Sequence, residues 1–222
     1  MRAMILAAGL GTRMGALTDN APKALLRVGG KPLLQLHLES LARSGFRDVV
    51  INHGRFGAQI EALFGCGRTF GLTIHYSAEG DEPLETAGGI RRALPLLGRG
   101  PFLVVNADVW TDFDFASLRS RIPAAAHIVL VPNPDHHAKG DFGLAGMQVT
   151  ESGATRLTYS GIGVFHPQFF QRLEEGRAPL APLLREAIGQ GKVTGEYFTG
   201  QWFDVGTPDR LDRIDQGLRP KS

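Results

Sequence analysis

The chain has 222 residues, 43% of them hydrophobic, with 24 Lys+Arg against 22 Asp+Glu and a formal net charge of +2. Apolar and charged fractions near the globular average exclude collagen-like, disordered and highly charged scaffolds. So small a basic excess also argues against a dedicated nucleic-acid binder, which would carry clustered positive charge.

At about 100 to 200 residues per domain, the length predicts one domain over residues 1–222. The single cysteine, Cys66, can close no intramolecular disulfide and build no cysteine-based zinc site, in keeping with a reducing compartment. The apolar start Met1-Arg2-Ala3-Met4-Ile5-Leu6-Ala7-Ala8 looks like a short signal peptide, but it gives way at once to Gly9-Leu10-Gly11-Thr12-Arg13. It reads as a buried strand. No apolar run approaches the ~20 residues that a bilayer span needs. A soluble cytoplasmic protein with no membrane partner is expected.

In chain order, short apolar runs alternate with longer helical patterns, the signature of βαβ units. Residues 3–8 predict a first strand, apolar throughout and suited to a sheet covered on both faces. A helix starts near Pro32, with Leu34, Leu38 and Leu41 at helical spacing and Gly45 as its stop. Val49-Val50-Ile51 is a second strand, 58–64 a short helix and 72–76 a third strand. Residues 85–97 predict a helix whose start carries Gly88-Gly89, feeding a central strand Phe102-Leu103-Val104-Val105. Beyond Asp108 the alternation loosens: 127–131, 157–165 and 197–205 read as strands, 182–188 and 208–218 as helices. No linker-like shift, low-complexity stretch or repeat divides the chain.

Two constellations carry chemistry. In the first, Gly9 and Gly11 directly follow a strand, so backbone N–H groups can approach an anion, while Thr12, Arg13 and Lys23 supply hydrogen bonds and charge. A triphosphate suits that arrangement. A dinucleotide site would need a third glycine where Met14 stands, and the nearest P-loop fragment, Gly191-Lys192, runs into Val193. In the second, Asn106-Ala107-Asp108 ends the central strand at the carboxyl edge, where open α/β sheets bind ligands. Paired with Asp204 of Trp202-Phe203-Asp204-Val205-Gly206-Thr207, Asp108 is a candidate ligand for one Mg2+, which takes its other ligands from water and substrate phosphates. Either aspartate alone would pass for a cap or turn residue. His136-His137 reads as a solvated turn, Ser160 lacks the first glycine of a nucleophile elbow, and Trp110 is the aromatic most suited to stacking on a sugar or base.

These segments, with Pro83-Leu84-Glu85-Thr86-Ala87-Gly88-Gly89 and Tyr159-Ser160-Gly161-Ile162-Gly163, resemble the ordered motifs of the sugar-1-phosphate nucleotidyltransferases over nearly the whole chain. The resemblance implies a Rossmann-like three-layer α/β/α fold with a mixed, mostly parallel central sheet. It implies a nucleotide-binding part of about 1–108, an acceptor-side region of about 109–195 and a closing metal-binding strand and helix of about 196–222. It places Gly11, Thr12, Arg13 and Lys23 at the nucleotide phosphates and the turn from Glu85 to Gly88 at the base or ribose. Asn106, Asp141, Ser160 and Gly161 would meet the sugar phosphate, Asp108 and Asp204 would hold Mg2+, and Arg13, Lys23 and Asp108 would be catalytic.

Val50-Ile51-Asn52-His53, Pro83-Leu84-Glu85-Thr86 and Asn133-Pro134-Asp135-His136-His137 most resemble the members that join UTP to N-acetylmuramate 1-phosphate in bacterial cell-wall recycling. The stretch 136–141, with Lys139 or a histidine, is the expected wall for the lactyl carboxylate. Glu85 and Thr86 depart from the base-facing sequence of many relatives. No C-terminal β-helix or fused acyltransferase is expected after the last helix. The rival readings are a thymidylyl-, uridylyl- or guanylyltransferase for glucose or mannose 1-phosphate, and a non-catalytic nucleotide-sugar sensor.

Overall fold

Strand β1 (Arg2–Leu6) shows why the chain folds in three layers: Ala3 and Ile5 face one apolar cluster while Met4 faces another, all fully buried. A strand apolar on both sides is stable only with helices over both faces. The computed structural model describes residues 1–153 and 155–218. After β1 come a short hairpin, β2 (Arg27–Val28) and β3 (Lys31–Pro32), then helix α1 (Leu33–Arg43), β4 (Asp48–His53), α2 (Gly57–Phe64), β5 (Thr73–Ala78), α3 (Glu85–Leu97) and β6 (Phe102–Asn106). The second half adds β7 (Val109–Thr111), β8 (Ala126–Val131), β9 (Phe142–Ala145), β10 (Gln148–Thr150), β11 (Arg156–Phe165), α4 (Leu180–Gly189), β12 (Val193–Tyr197), β13 (Trp202–Asp204) and α5 (Pro208–Leu218).

The main sheet runs β5-β4-β1-β6-β11-β8-β12-β10-β9. Its first four strands are parallel, and only β11 and β10 run against the rest. Leu34, Leu38 and Leu41 of α1 with Ile60 and Phe64 of α2 cover one face. Ile90 and Leu97 of α3 with Leu184 and Ile188 of α4 cover the other. The fold is therefore α/β with a mixed, mostly parallel sheet, as the alternation predicts. A third, smaller cluster joins Met14, Val28 and Leu33 to Val205, Leu211 and Ile214, clasping α5 to the first loops.

One predicted strand is corrected. Residues 197–205 do not run continuously: β12 ends at Tyr197 and β13 begins at Trp202, paired instead with β7 in a separate two-stranded sheet. Between them the Gln201 amide donates to Asp112 Oδ1 at 2.8 Å and Phe198 meets Phe113 edge to face at 5.0 Å, which turns the chain out of the main sheet. Among the described residues no helix is long and apolar enough to cross a membrane.

Candidate active site

Parallel strands open their carboxyl ends to one edge, and the register Leu6↔Asn52 and Leu6↔Asn106 brings three strand ends level there. The edge forms a cavity of about 210 Å3 lined by Ala7, Gly9, Lys23, Asn52, Glu79 and Asp108, among others. Its floor is a buried polar network. Asn52 Nδ2 donates to Glu79 Oε1 at 2.6 Å, Asn52 Oδ1 accepts from the Ala7 amide at 2.9 Å, and Glu79 Oε2 accepts from the Leu84 amide at 2.9 Å. Three segments are thereby locked together, since buried polar groups demand partners. Gly89 permits it, because a Cβ there would stand 2.3 Å from Glu79 Oε1. Asn52 and Glu79 are cavity residues that motif reading missed; their one signal is position, each closing a strand at the ligand-binding edge.

At the mouth, Lys23 Nζ donates to Asp108 Oδ2 at 2.6 Å. The lysine side chain is 11% exposed and the aspartate 37%, so the pair is short but partly solvated. Pro22 at the start of a 3-10 turn over Lys23–Leu25 fixes the lysine's approach. Behind Asp108, His37 of α1 is buried and bonded to the Val109 backbone; burial pulls its pKa from 6.5 down to about 4, against the smaller raising effects of that bond and of Asp108. The ring is neutral at pH 7.

A second cavity of about 410 Å3 shares Glu85, Thr86 and Asn106 with the first and adds Asp141, Phe142, Tyr159 and the α4 residues Leu180, Ala181, Leu184 and Arg185. Asp141 is held rigidly: Oδ2 accepts from the Tyr159 amide at 2.8 Å and Oδ1 lies 3.0 Å from His137 Nε2. Burial pushes the Tyr159 hydroxyl's pKa up, so it stays protonated. Glu85 opens α3 in a left-handed conformation (φ 58°), uncommon for a residue with a Cβ, and its carboxylate accepts from Arg177 at 2.7 Å.

The structure thus brings Lys23, Asp108, Asn106, Glu85 and Asp141 to two adjoining cavities. Other predicted residues lie elsewhere. Gly11 takes φ 66° and packs a would-be Cβ 3.0 Å from Thr18, but Thr12 and Arg13 are exposed on the following turn and line neither cavity. Gly88 is buried, where a Cβ would meet the Gly176 carbonyl at 2.2 Å; it serves close packing of α3 and does not face either cavity. Ser160 spends its hydroxyl inside the sheet, donating to the Val129 carbonyl at 2.8 Å. Gly161 (φ 79°) marks the irregularity in β11 and lets Asn106 lie against it.

Asp204 is joined to Asp108 through the backbone, since the Val205 amide donates to the Asp108 carbonyl at 2.7 Å. Its carboxylate, however, pairs with Arg210 and with His136 Nε2 at 3.2 Å, in a cavity lined also by Pro134 and Trp202. Trp110 packs against Phe203 and the third cluster, away from the two main cavities. Among the described residues no group of three or more His, Cys, Asp or Glu forms a ready metal cage. Asp108 and Asp204 stand on neighbouring segments, each carboxylate held by its own cation, Lys23 and Arg210; the chemistry of the set matches Mg2+, which is usually bound through one or two carboxylates plus substrate phosphates.

The carboxyl edge of this Rossmann-like sheet, with its two adjoining cavities, is the place where open α/β folds bind ligands. The nucleotidyl transferase family model matches residues 2–219, and the chain belongs to that family of enzymes. It is 50% identical, over 95% of both chains, to the N-acetylmuramate alpha-1-phosphate uridylyltransferase of Neisseria meningitidis serogroup B. It is 32% identical to the protein of the same name from Caulobacter vibrioides, over 93% of this chain and 92% of that one. Among solved structures, a Bacillus anthracis protein described as a glucose-1-phosphate thymidylyltransferase superposes with a TM-score of 0.85 at 21% identity, covering 100% of this chain and 97% of the other. At that identity the likeness concerns the fold.

Proposed function

We propose that this enzyme transfers a uridylyl group from UTP to N-acetylmuramate 1-phosphate, releasing pyrophosphate and forming the UDP-activated amino sugar in cell-wall recycling. The observation that carries the reading is the pair of adjoining cavities, with the lysine–aspartate pair at one and the wall Glu85-Thr86-Asn106 common to both. The 50% identity to the Neisseria uridylyltransferase supports the choice of base and acceptor.

In this reading the triphosphate sits over the glycine-rich loop and Lys23. Entry of phosphate oxygens draws the Lys23 ammonium away from Asp108, which frees the carboxylate. The acceptor rests against Asp141 and Asn106, and its phosphate oxygen attacks the α-phosphorus as pyrophosphate departs on the opposite side. That oxygen is already anionic near neutral pH, so no base is required; alignment and charge neutralisation supply the rate. Arg13, exposed in the free protein, would close over the phosphates, its planar fork able to grip two oxygens. Asp108 and Asp204 would hold Mg2+, which would screen the phosphate charges of both substrates.

Pyrophosphate release, measured with each common NTP against a panel of sugar 1-phosphates with and without Mg2+, tests the reading. Highest kcat/KM with UTP and N-acetylmuramate 1-phosphate, abolished by chelation, is expected. Better use of GTP with mannose 1-phosphate would replace the acceptor and base, while no turnover of any pair would leave a sensor.

A further inference from the structure

The second cavity is acidic where a muramate ester would need it basic. Glu85 and Asp141 both line it; Arg177, outside the lining, already pairs with Glu85 at 2.7 Å, so the charge that would repel a lactyl carboxylate is chiefly that of Asp141. One cation stands among the lining residues: Arg185 of α4. It lies one helical turn after Ala181, on the same side of α4, so the helix that supplies the apolar wall also delivers the guanidinium. Lys139 and His137 are not among the residues lining this cavity, His137 reaching it only through Asp141 at 3.0 Å, and His136 lies against Asp204.

Two further contacts hold Arg185 in place without committing it. Its Cζ lies 5.5 Å from the centroid of the Phe142 ring, whose face steers the guanidinium along the cavity wall. Among the described residues its ion-pair partner is Glu151, at 3.4 Å, with both side chains nearly half exposed (44% and 45%). So long and solvated a pair contributes little, and exchanging one carboxylate for another is close to neutral. Glu151 does not line the cavity.

We infer that Arg185 is the residue that recognises the lactyl carboxylate of the acceptor, leaving Glu151 to do so, and that it sets the preference for a muramate over a glucosamine ester. The inference rests on the muramate reading above and deepens it. A planar guanidinium suits a carboxylate better than an ammonium, because two N–H groups meet two oxygens.

The experiment is a kinetic comparison of wild type, Arg185→Ala, Arg185→Lys and Glu151→Gln with N-acetylmuramate 1-phosphate and N-acetylglucosamine 1-phosphate, UTP saturating. For Arg185→Ala, kcat/KM on the muramate ester should fall by about tenfold to a hundredfold, mostly through KM, the range for a hydrogen-bonded charge. The glucosamine ester should change by less than about threefold, and Arg185→Lys should recover part of the loss. Glu151→Gln, which frees the guanidinium, should lower KM for the muramate ester and leave the other unchanged. A wild type that does not prefer the muramate ester would sink the acceptor assignment itself. If wild type prefers it and Arg185→Ala keeps the same ratio, the assignment stands and the role of Arg185 is overturned; an equal loss on both esters, with an unchanged melting temperature, overturns it as well.

Discussion

Gly161 and Gly146 form a natural pair for separating backbone strain from contact. Both take left-handed backbone, at φ 79° and 59°. A Cβ on Gly146 would meet nothing within 4 Å, whereas one on Gly161 would lie 2.6 Å from Asn106 Nδ2. Placing alanine in that conformation costs about 1 to 2 kcal/mol at either position. Gly146→Ala should therefore lower thermal stability by that amount and keep full turnover. Gly161→Ala should add the displacement of Asn106 from the wall between the cavities, with kcat/KM falling roughly tenfold or more, since a misplacement near 1 Å at a reacting centre can cost 100-fold. Equal activity in the two variants, measured beside their melting curves, would reduce Gly161 to a backbone role.

Helix α1 carries the clearest pH signature. His37 has its folded pKa depressed from 6.5 to about 4 by burial. Above pH 6.5 the ring is neutral in both folded and unfolded chains and stability is at its full value. As pH falls from 6.5 toward 4 the unfolded chain takes up a proton that the folded one refuses, so stability is lost across that window and levels off below it. The shift corresponds to about 3 kcal/mol. Urea unfolding of wild type and His37→Gln at pH 7, 5.5 and 4.5 should show the wild type losing more stability; parallel curves would mean His37 does not titrate as described.

Legibility also varied by element. Helix α3 was readable to the residue at both ends, since Glu85 opens it and Gly98 stops it, and β1 and β6 were readable because continuous apolar runs suit strands buried on both faces. The break between β12 and β13 was not, since the β-favouring pairs Tyr197-Phe198 and Trp202-Phe203 flank a lone glycine, Gly200, which inside a strand pattern reads as a bulge. The hairpin of β9 and β10 also escaped notice, its strands being only four and three residues long. Within the site, motif spacing could reach residues that end strands, such as Asn106 and Asp108. It could not reach Glu79 or Arg185, whose place in the cavities follows from how helices and strands stack and not from any local pattern.

On the scale of the whole molecule, the third apolar cluster links the two ends of the described chain. Leu211 and Ile214 of α5 bury Met14, in the turn after the glycine-rich loop, and Val28, while the Gly29 amide donates to Asp215 Oδ1 at 2.8 Å. Truncating a buried isoleucine to alanine costs about 2 to 5 kcal/mol. Ile214→Ala should lose stability in that range and raise KM for the nucleotide, because Met14 anchors the loop; Asp212→Ala, on the exposed face of the same helix, should do neither. A nucleotide KM unchanged in Ile214→Ala, by steady-state kinetics, would uncouple the clasp from the loop. The clasp also bears on the order in which the protein is made. A ribosome adds about 5 to 20 residues per second, so α5 emerges roughly 10 to 40 s after β1. For that interval Met14 and Val28 have only part of their cover, and a chaperone that reads exposed apolar side chains would find them there. The glycine-rich loop, synthesised directly after β1, is thus among the last to be set in place.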